Sequence, residues 1–340
     1  MPDFEKLAKK FDKSKMLEKL DGFPEQAMEG WRLGKSFRVP EALSGKKFDK
    51  IFFLGMGGSG IAGMIAKSLL EKKCPIPAFL AGTYSLPGFA DKNSLAIALS
   101  YSGNTEETLA CAKDAEEKGI AVIGITSGGL LGRENRHNVI VPRGFPPRTA
   151  TGYTLFALLA VLENLGIANF GPDAENAIGL ARKKREQFRK RGQQIAQKLF
   201  KKIPAIYSSD CLEPIAYRWH TQLAENSKTF SHWAVLPELN HNEIVGYGPF
   251  EEKLCFVLLR SGNENARMTE RLDLTKRICA KKSVVEEVLG GGETSLERKI
   301  SLMLIGDYAS YYLALLNAAD PTPVENISFL KKSIKEKGFF

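Results

Sequence analysis

Residues 51–63 read IFFLGMGGSGIAG. The apolar start of this segment predicts a buried strand, and the apolar positions from Ile61 to Leu70 can pack one face of a helix. Five glycines and one serine lie among these residues. Glycines let the backbone turn tightly and approach a ligand, and the helix that follows presents unpaired N–H donors and the positive end of its dipole. The segment therefore predicts an anion-binding site.

A second segment repeats this pattern at residues 95–108, which read LAIALSYSGNTEET. Hydroxyl side chains replace most of the glycines, so this loop offers side-chain donors as well as backbone donors. Two such loops suggest a single phosphorylated ligand.

Strands alternate with helices around both loops. The sequence predicts strands at 50–55, 76–81, 94–100, 120–126 and 138–142, with helices at 60–72 and 104–118. This alternation implies a parallel sheet covered on both faces, in which ligands bind beyond the carboxyl ends of the strands. Residues 46–168 are therefore predicted to form a first α/β domain.

A chain of 340 residues is long enough for two domains. We predict a helical flank at 1–45, with a break near Asp21, an apolar helix at 153–165, a charged connecting helix within 169–201 and a second strand-helix domain at 202–340. Helices are expected at 266–279, 296–318 and 327–337.

Residues 256–263 faintly repeat residues 96–104. The first strand of this second copy is not followed by a Gly-Gly-Ser-Gly loop, which suggests a duplicated domain that lost its anion loop.

The composition favours a protein with a solvated basic surface. The formal charge is +9, from 48 Lys and Arg against 39 Asp and Glu, but the basic residues are spread through helices that also contain Glu, so nucleic acid is not the expected partner. Five cysteines, with no Cys-x-x-Cys pair, argue against a disulfide framework or a zinc site and for a reducing compartment. Without a signal peptide or an apolar run long enough to span a bilayer, a cytoplasmic protein without membrane contact is expected.

A dinucleotide-binding loop is the main alternative for residues 55–60, which match its glycine fingerprint. That interpretation expects an acidic residue at the end of the next strand, where this chain has Ala81-Gly82-Thr83-Tyr84. The segment also lacks the Gly-Lys-Ser/Thr ending of a nucleotide triphosphatase loop. Nucleotide binding is therefore disfavoured.

Four further residues are candidates for a functional role, and each of them also has a purely structural explanation. His241 lies in the polar segment PELNHNEIVG (237–246), which favours a functional site over a capping role. From the residues alone, Glu225 is better described as a solvated helix-end carboxylate, and Lys331 as part of a charged helix face. Arg148 follows two prolines, so it suits an anion contact or a surface ion pair. The remaining histidines have no metal-ligand spacing.

Five motifs occur in the order found in one known family: GMGGSG at 55–60, SYSGNTEET at 100–108, ENSK at 225–228, PELNHNE at 237–243 and DPTPV at 320–324. The chain resembles the bifunctional phosphoglucose/phosphomannose isomerases of archaea and some bacteria, which are double SIS-domain sugar isomerases. The resemblance implies two SIS domains, each a parallel-sheet α/β/α sandwich of flavodoxin-like type. Ser227 stands where alanine is expected, a small departure.

The resemblance also implies roles for individual residues. Glu225 matches the base that moves a proton between C1 and C2, and Arg148 matches the arginine near the enediolate. His241 matches the histidine of ring opening, contributed by the partner subunit, so a homodimer is implied. Lys331, or its neighbour Lys332, matches a lysine of the same step, and no metal or other cofactor is required. The sugar phosphate would be held by Gly57, Gly58, Ser59, Ser100, Ser102 and Thr105.

Two alternatives remain open at this stage. Another SIS enzyme would act on a different phosphosugar, and an aminotransferase domain of that kind would normally accompany a glutaminase domain. A sugar-phosphate-sensing regulator would need a DNA-reading helix, for which residues 1–45 offer no clear candidate.

Overall fold

The computed structural model describes residues 2–135 and 137–336. These residues form two compact units. Unit I is Asp21–Lys183, and unit II joins the described residues of Met1–Leu20 to those of Lys184–Phe340. Each unit is built around its own parallel sheet.

The predicted N-terminal flank is divided between the units. Its helices are α1 (Phe4–Phe11), α2 (Met16–Asp21) and α3 (Phe23–Lys35). Helix α1 belongs to unit II, where the Phe4 ring meets the Tyr312 ring edge-on at a centroid distance of 4.7 Å. The Tyr311 hydroxyl donates to Asp12 Oδ2 over 3.1 Å. The boundary at residues 20 and 21 therefore replaces the predicted boundary at residue 45.

Unit I contains a five-stranded parallel sheet. Its strands are β1 (Lys50–Leu54), β2 (Ala78–Ala81), β3 (Ser94–Leu99), β4 (Ala121–Thr126) and β5 (Asn138–Ile140). They are ordered β2-β1-β3-β4-β5, which is the flavodoxin-like order. Ser94–Leu99 is buried at every position, as expected for a central strand covered on both faces.

Helices cover both faces of this sheet. They are α4 (Gly57–Leu70), α5 (Glu106–Glu117), α6 (Gly129–Glu134) and α7 (Thr151–Asn164). On one face, Gly63 of α4 lies so close to Phe53 that an added Cβ would be 2.8 Å from the Phe53 Cβ. On the other face, Cys111 of α5 packs in a cluster with Phe52. The two phenylalanines are adjacent in β1, so their side chains point to opposite faces.

Helix α8 (Gly171–Leu199) lies where a charged helix within 169–201 is predicted, and the division between the units falls inside it. Unit II contains strands β6 (Ile203–Ser209), β7 (His232–Leu236), β8 (Leu254–Arg260) and β9 (Val284–Leu289), in the order β7-β6-β8-β9 and all parallel. Its further helices are α9 (Glu213–Ser227), α10 (Ala266–Cys279), α11 (Ser295–Leu316) and α12 (Glu325–Glu336). The prediction of two parallel-sheet α/β domains is confirmed.

Short 3₁₀ helices fill several connections, at Glu41–Leu43, Pro147–Thr149, Asp210–Leu212, Glu238–His241, Glu243–Val245 and Gly248–Lys253. Most predicted elements end within one to three residues of the observed ends. The difference that matters is at α4, which begins at Gly57 rather than at the predicted residue 60. Within the described residues, no helix combines the length and apolarity needed to cross a bilayer.

Candidate functional site

The first turn of α4 presents main-chain donors at the carboxyl end of β1. Because the helix begins at Gly57, the three glycines Gly57, Gly58 and Gly60 are part of the helix, and only Gly55 lies before it. Ser59 and Gly60 both donate their N–H to the Met56 carbonyl, over 3.2 and 3.0 Å. Neither Gly57 nor Gly58 has an acceptor for its N–H within the described chain. Two donors at the positive end of a helix are therefore available to an anion.

Gly58 is required here by the close approach of another segment. A Cβ at this position would lie 2.7 Å from both the backbone N and the Cα of Arg148. Arg148 occupies the 3₁₀ helix Pro147–Thr149 and is buried. Gly57 has a φ of +53°, a conformation that glycine adopts without strain. The structure thus brings the predicted Arg148 against the predicted phosphate-binding turn.

A side-chain hydrogen bond joins the two predicted loops. The Tyr101 N–H donates to Ser59 Oγ over 2.9 Å, and Ser59 is buried. The Ser59 hydroxyl can still donate its own proton, because its oxygen is the acceptor in this contact. Ser59 and the loop after β3 therefore form one structure, which we call the phosphate cradle (residues 57–59, 100–105 and 148).

The hydroxyls of the second loop have different surroundings. Ser100 is fully buried, and its Oγ lies 3.0 Å from Thr105 Oγ1 and accepts from the Gly103 N–H over 3.1 Å. Thr105 is the N-cap residue of α5, and Ser102 is exposed. Ser100 therefore shapes the loop from inside, whereas Ser102 and the main chain face outward.

Glu225 lies in the last turn of α9 in unit II. The helix is fastened to α11 by buried polar contacts: Arg218 donates to the two oxygens of Asp307 over 3.0 and 2.8 Å, and Gln222 Nε2 donates to Asp307 Oδ1 over 2.9 Å. Next to Glu225, Asn226 Nδ2 donates to Ser310 Oγ over 2.9 Å. Because these partners are buried and charged or polar, they fix the rotation of α9 and so the side on which Glu225 emerges.

The Glu225 side chain borders a cavity of about 620 Å³. Other lining residues include Lys228, Phe230 and Asp320. Lys228 Nζ donates to the Glu225 carbonyl over 2.5 Å and to the Pro323 carbonyl over 2.6 Å, which ties the end of α9 to the chain before α12. Within the described lining, neither His241 nor Lys331 is present. The described lining therefore contains three carboxylates, of Glu225, Asp320 and Glu325, and the ammonium group of Lys228.

His241 is exposed at the end of the 3₁₀ helix Glu238–His241. Its polar neighbours have structural partners. Asn240 Nδ2 donates to Thr275 Oγ1 over 2.9 Å, and Asn242 Nδ2 donates to Glu238 Oε1 over 2.8 Å. The polar cluster seen in the sequence thus holds the main chain that carries His241.

Glu243 anchors the same segment to the sheet, a contact that the sequence did not reveal. One carboxylate oxygen accepts from the Tyr207 hydroxyl, and the other lies 2.8 Å from His232 Nε2. The hydrogen bond that His232 donates to the Glu243 carboxylate raises the pKa of His232 above its ordinary value, although burial opposes this. Burial acts to raise the pKa of Glu243, but the hydrogen bonds from His232 and Tyr207 outweigh it and lower that pKa. The segment is therefore held by a pH-sensitive contact.

Lys331 lies on α12 and is exposed. Its neighbour Lys332 is also exposed and has its Nζ 3.8 Å from Glu336 Oε1. The structure places both lysines on the same solvent-facing helix and does not distinguish their roles.

The loop after β8 in unit II, in the segment 256–263 that repeats 96–104, differs from the phosphate cradle in whether its main-chain donors are free. The carboxylate of Glu264 accepts from the Ser261 N–H over 2.5 Å and from the Gly262 N–H over 3.0 Å. The main-chain donors after β8 are thus used by a side chain of the same loop. This agrees with the expectation that the second copy has lost its anion site.

Metal ligands are not clustered in the part of the chain that the structure describes, where no group of three or more His, Cys, Asp or Glu side chains could hold an ion. The polar groups of the cradle are hydrogen-bond donors, which suit a phosphate and not a cation.

The fold and the cradle define a double SIS-domain protein, and comparisons with known families agree. The SIS-domain family matches residues 43–164. The family described as "Bacterial phospho-glucose isomerase C-terminal SIS domain" matches residues 188–334. Among solved structures, the C-terminal domain of glucosamine-fructose-6-phosphate aminotransferase from Francisella tularensis has a similar fold, with a TM-score of 0.74 at 18% identity over 92% of this chain and 98% of that one.

Curated sequences identify the family more closely. A bifunctional phosphoglucose/phosphomannose isomerase from Caldicellulosiruptor bescii is 36% identical over 94% of this chain and 99% of its own. One from Aquifex aeolicus is 37% identical over 84% of this chain and 90% of its own. The chain belongs to the bifunctional phosphoglucose/phosphomannose isomerase family.

Proposed function

We propose that this protein interconverts glucose 6-phosphate and mannose 6-phosphate with fructose 6-phosphate. The observation that carries the proposal is the phosphate cradle, in which two main-chain donors of α4, the hydroxyl-bearing loop after β3 and Arg148 come together. Such a cradle holds the phosphate away from the reacting carbons, and this binding energy positions C1 and C2. The names of the curated relatives given above support the same substrates.

The reaction that we propose uses Glu225 as the base. After ring opening, the carboxylate removes the proton from C2 of the open-chain aldose, and the electron pair moves through the C1–C2 bond to the carbonyl oxygen to give an enediolate. The hydroxyl proton on O2 is then transferred to O1, and return of the abstracted proton to C1 leaves a carbonyl at C2 and a hydroxyl at C1, which completes the ketose. The position of Glu225 on a cavity wall, at the end of a helix that buried contacts fix, supports this role.

One base suffices for both aldoses. Glucose and mannose phosphates differ only in configuration at C2, and C2 is planar in the enediolate. Both substrates therefore give the same intermediate if the site accepts either configuration. Arg148 would offset the charge of that intermediate.

Ring opening is assigned to His241 with Lys331, and His241 would come from a second copy of the chain. Exposed apolar side chains support a homodimer: Phe230 is 79% exposed, Val245 87% and Phe329 69%. Apolar side chains exposed to this degree suit an interface. The five free thiols suit a reducing compartment, and we place the protein in the cytoplasm.

The experiment is a coupled assay of the wild type and Glu225→Gln with all three hexose phosphates, without added metal. We expect the wild type to interconvert them and the variant to lose about 10²–10⁴-fold in kcat, the usual contribution of general base catalysis, with little change in binding. Glu213→Gln is the matched control, because Glu213 is an exposed residue at the start of the same helix. A wild type that binds these sugars without turnover would instead indicate a sensor or an enzyme for another phosphosugar.

A further inference from the structure

A second cleft opens in unit I at the carboxyl end of β4 and beside β5. It has a volume of about 690 Å³, and Arg133, Arg143, Ser102 and Asn104 are among its lining residues. A cleft of this volume can hold a small metabolite. None of the residues that form the Gly57–Ser59 turn lines it, and neither does Arg148.

Two arginines are held in place on the wall of this cleft. Arg143 Nε donates to the Ser127 carbonyl over 2.6 Å, and Arg133 Nε donates to the Gly129 carbonyl over 3.3 Å. Both anchors belong to the same connection between β4 and α6. Each contact uses only the Nε–H of its guanidinium group and leaves the terminal N–H donors for another partner.

Neither guanidinium group has an ion-pair partner in the described chain, and the cleft has no carboxylate in its described lining. Arginines that are oriented but not neutralised suit a ligand with at least two negative charges, because the planar fork of each one matches the oxygens of a phosphoryl group.

The other polar side chains of the lining offer donors as well. Asn104 Oδ1 accepts from the Leu130 N–H over 3.0 Å, so its amide N–H₂ remains for a ligand. Ser102 Oγ accepts from the Asn104 N–H over 3.3 Å, and its one hydroxyl proton is left to the substrate phosphate, to which we assign it. The Ser127 hydroxyl donates to the Tyr101 carbonyl over 2.7 Å and takes no further part. The available side-chain groups are thus donors, as an anion requires.

The glycines of the connection keep the cleft open. A Cβ on Gly128 would lie 2.2 Å from a terminal nitrogen of Arg143, and a Cβ on Gly129 would lie 2.4 Å from the Ser102 carbonyl oxygen. Both glycines have positive φ, at 139° and 68°. The Arg143 guanidinium therefore packs directly against the main chain of Gly128, where a side chain would collide with it.

The order of the strands separates the arginines of this cleft from the Gly57–Ser59 turn of the phosphate cradle, whereas Ser102 and Asn104 of the cradle's 100–105 loop line the cleft. The cradle's main-chain donors follow β1, whereas the arginines are anchored after β4, and β3 lies between these two strands. Ser102 is the one residue that the cleft shares with the predicted phosphate ligands. An occupant of the cleft would therefore contact the loop that also contacts the substrate phosphate.

We propose that the cleft with Arg133 and Arg143 is a second anion-binding site, which takes the phosphoryl group of a small metabolite or free phosphate while a hexose phosphate occupies the cradle. Through the amide of Asn104, the bound anion stabilises the 100–105 loop in the conformation that it has here. The bound anion affects the phosphate cradle only through this loop, and no residue of the second site takes part in catalysis.

The test is a calorimetric titration of the full-length protein with inorganic phosphate in the presence of saturating fructose 6-phosphate. We expect one further binding event per chain, weakened about tenfold by Arg133→Ala and again by Arg143→Ala, which is the effect of losing one charge-assisted hydrogen bond each. Arg267→Ala is the control, because Arg267 is an exposed arginine of α10 outside the cleft. Glycerol phosphate, titrated in the same way, distinguishes a metabolite from the free anion by its higher affinity.

Three results would overturn the proposal. The first is that fructose 6-phosphate abolishes phosphate binding, which would make the cleft part of the substrate site. The second is that the wild type binds no further phosphate, and the third is that the double alanine variant binds it as tightly as the wild type does. The Arg133→Lys and Arg143→Lys variants keep the positive charge but lose the planar guanidinium group. A phosphate affinity between those of the wild type and the alanine variants, measured in a folded variant, therefore supports binding by the guanidinium groups.

Discussion

Replacement of Asp307 by alanine should destabilise unit II more than most single substitutions do. The side chains of Arg218 and Asp307 are only 3% and 4% exposed, and the carboxylate accepts three hydrogen bonds, two from Arg218 and one from Gln222. Removal of one partner of a buried ion pair costs about 3–5 kcal/mol, because the other charge stays buried without its counterion. The Gln222 amide loses its acceptor as well, which adds about 1 kcal/mol or more.

The expected total is about 4–6 kcal/mol, a large part of the roughly 5–15 kcal/mol that stabilises a folded protein. Urea unfolding followed by tryptophan fluorescence measures this loss, since Trp219 is buried in α9 one residue after Arg218. The control is Glu186→Ala, which removes an exposed ion pair with Arg189 at 3.8 Å. That variant should change the stability by less than about 0.5 kcal/mol.

A triple variant separates the charge effect from packing. Arg218→Met, Gln222→Met and Asp307→Leu together replace the polar network by apolar side chains of similar size. Such replacements of buried ion pairs are often neutral or stabilising, so the triple variant should recover most of the loss. The reasoning fails if Asp307→Ala costs less than about 1 kcal/mol, or if the triple variant is as unstable as the single one.

Two further predictions concern the cradle and the Glu243 contact. Gly58→Ala should weaken fructose 6-phosphate binding at least about tenfold, because its Cβ would collide with the Arg148 main chain at 2.7 Å; in the same titration Gly179→Ala, which meets nothing within 4 Å, should leave binding unchanged. The raised pKa of His232 means that its pairing with Glu243 stabilises the fold fully below pH 6.5 and less as the pH rises through the raised value. His232→Gln should therefore remove part of the alkaline fall in the thermal midpoint, and an unchanged profile would refute this assignment.

The strand-loop-helix unit was predictable because its signal is local. Four apolar residues before a glycine-rich turn indicate a strand end wherever the rest of the chain lies. The start of α4 was placed three residues too late, because glycine is a poor helix former and the glycines were read as a loop. The backbone of Arg148 approaches Gly58 from 90 residues away and leaves no room for a Cβ, so a tertiary contact, which no local pattern contains, requires a glycine at this position.

The contacts around the candidate base and the candidate histidine had no local signal. Tyr207 reaches Glu243 across 36 residues and Arg218 reaches Asp307 across 89. A sequence pattern does not contain such pairs, because each partner alone resembles an ordinary polar residue. The polar segment at 237–246 was correctly interpreted as too polar for a core, but most of its amide and carboxylate groups satisfy one another and the sheet.

The carboxylate of Glu264 makes the loop after β8 independent of solutes. Its two main-chain donors are occupied by a group that is tethered three residues away or less, so this loop keeps the shape of an occupied anion loop at any phosphate concentration. The turn at Gly57 and Gly58 has no such built-in occupant in the described chain, so an anion bound there, as we propose, would stabilise it by an amount that rises with the logarithm of the free anion concentration. If the first loop binds phosphate esters as proposed, the two units differ in what keeps these loops rigid: a soluble metabolite in unit I, and a covalently attached side chain in unit II.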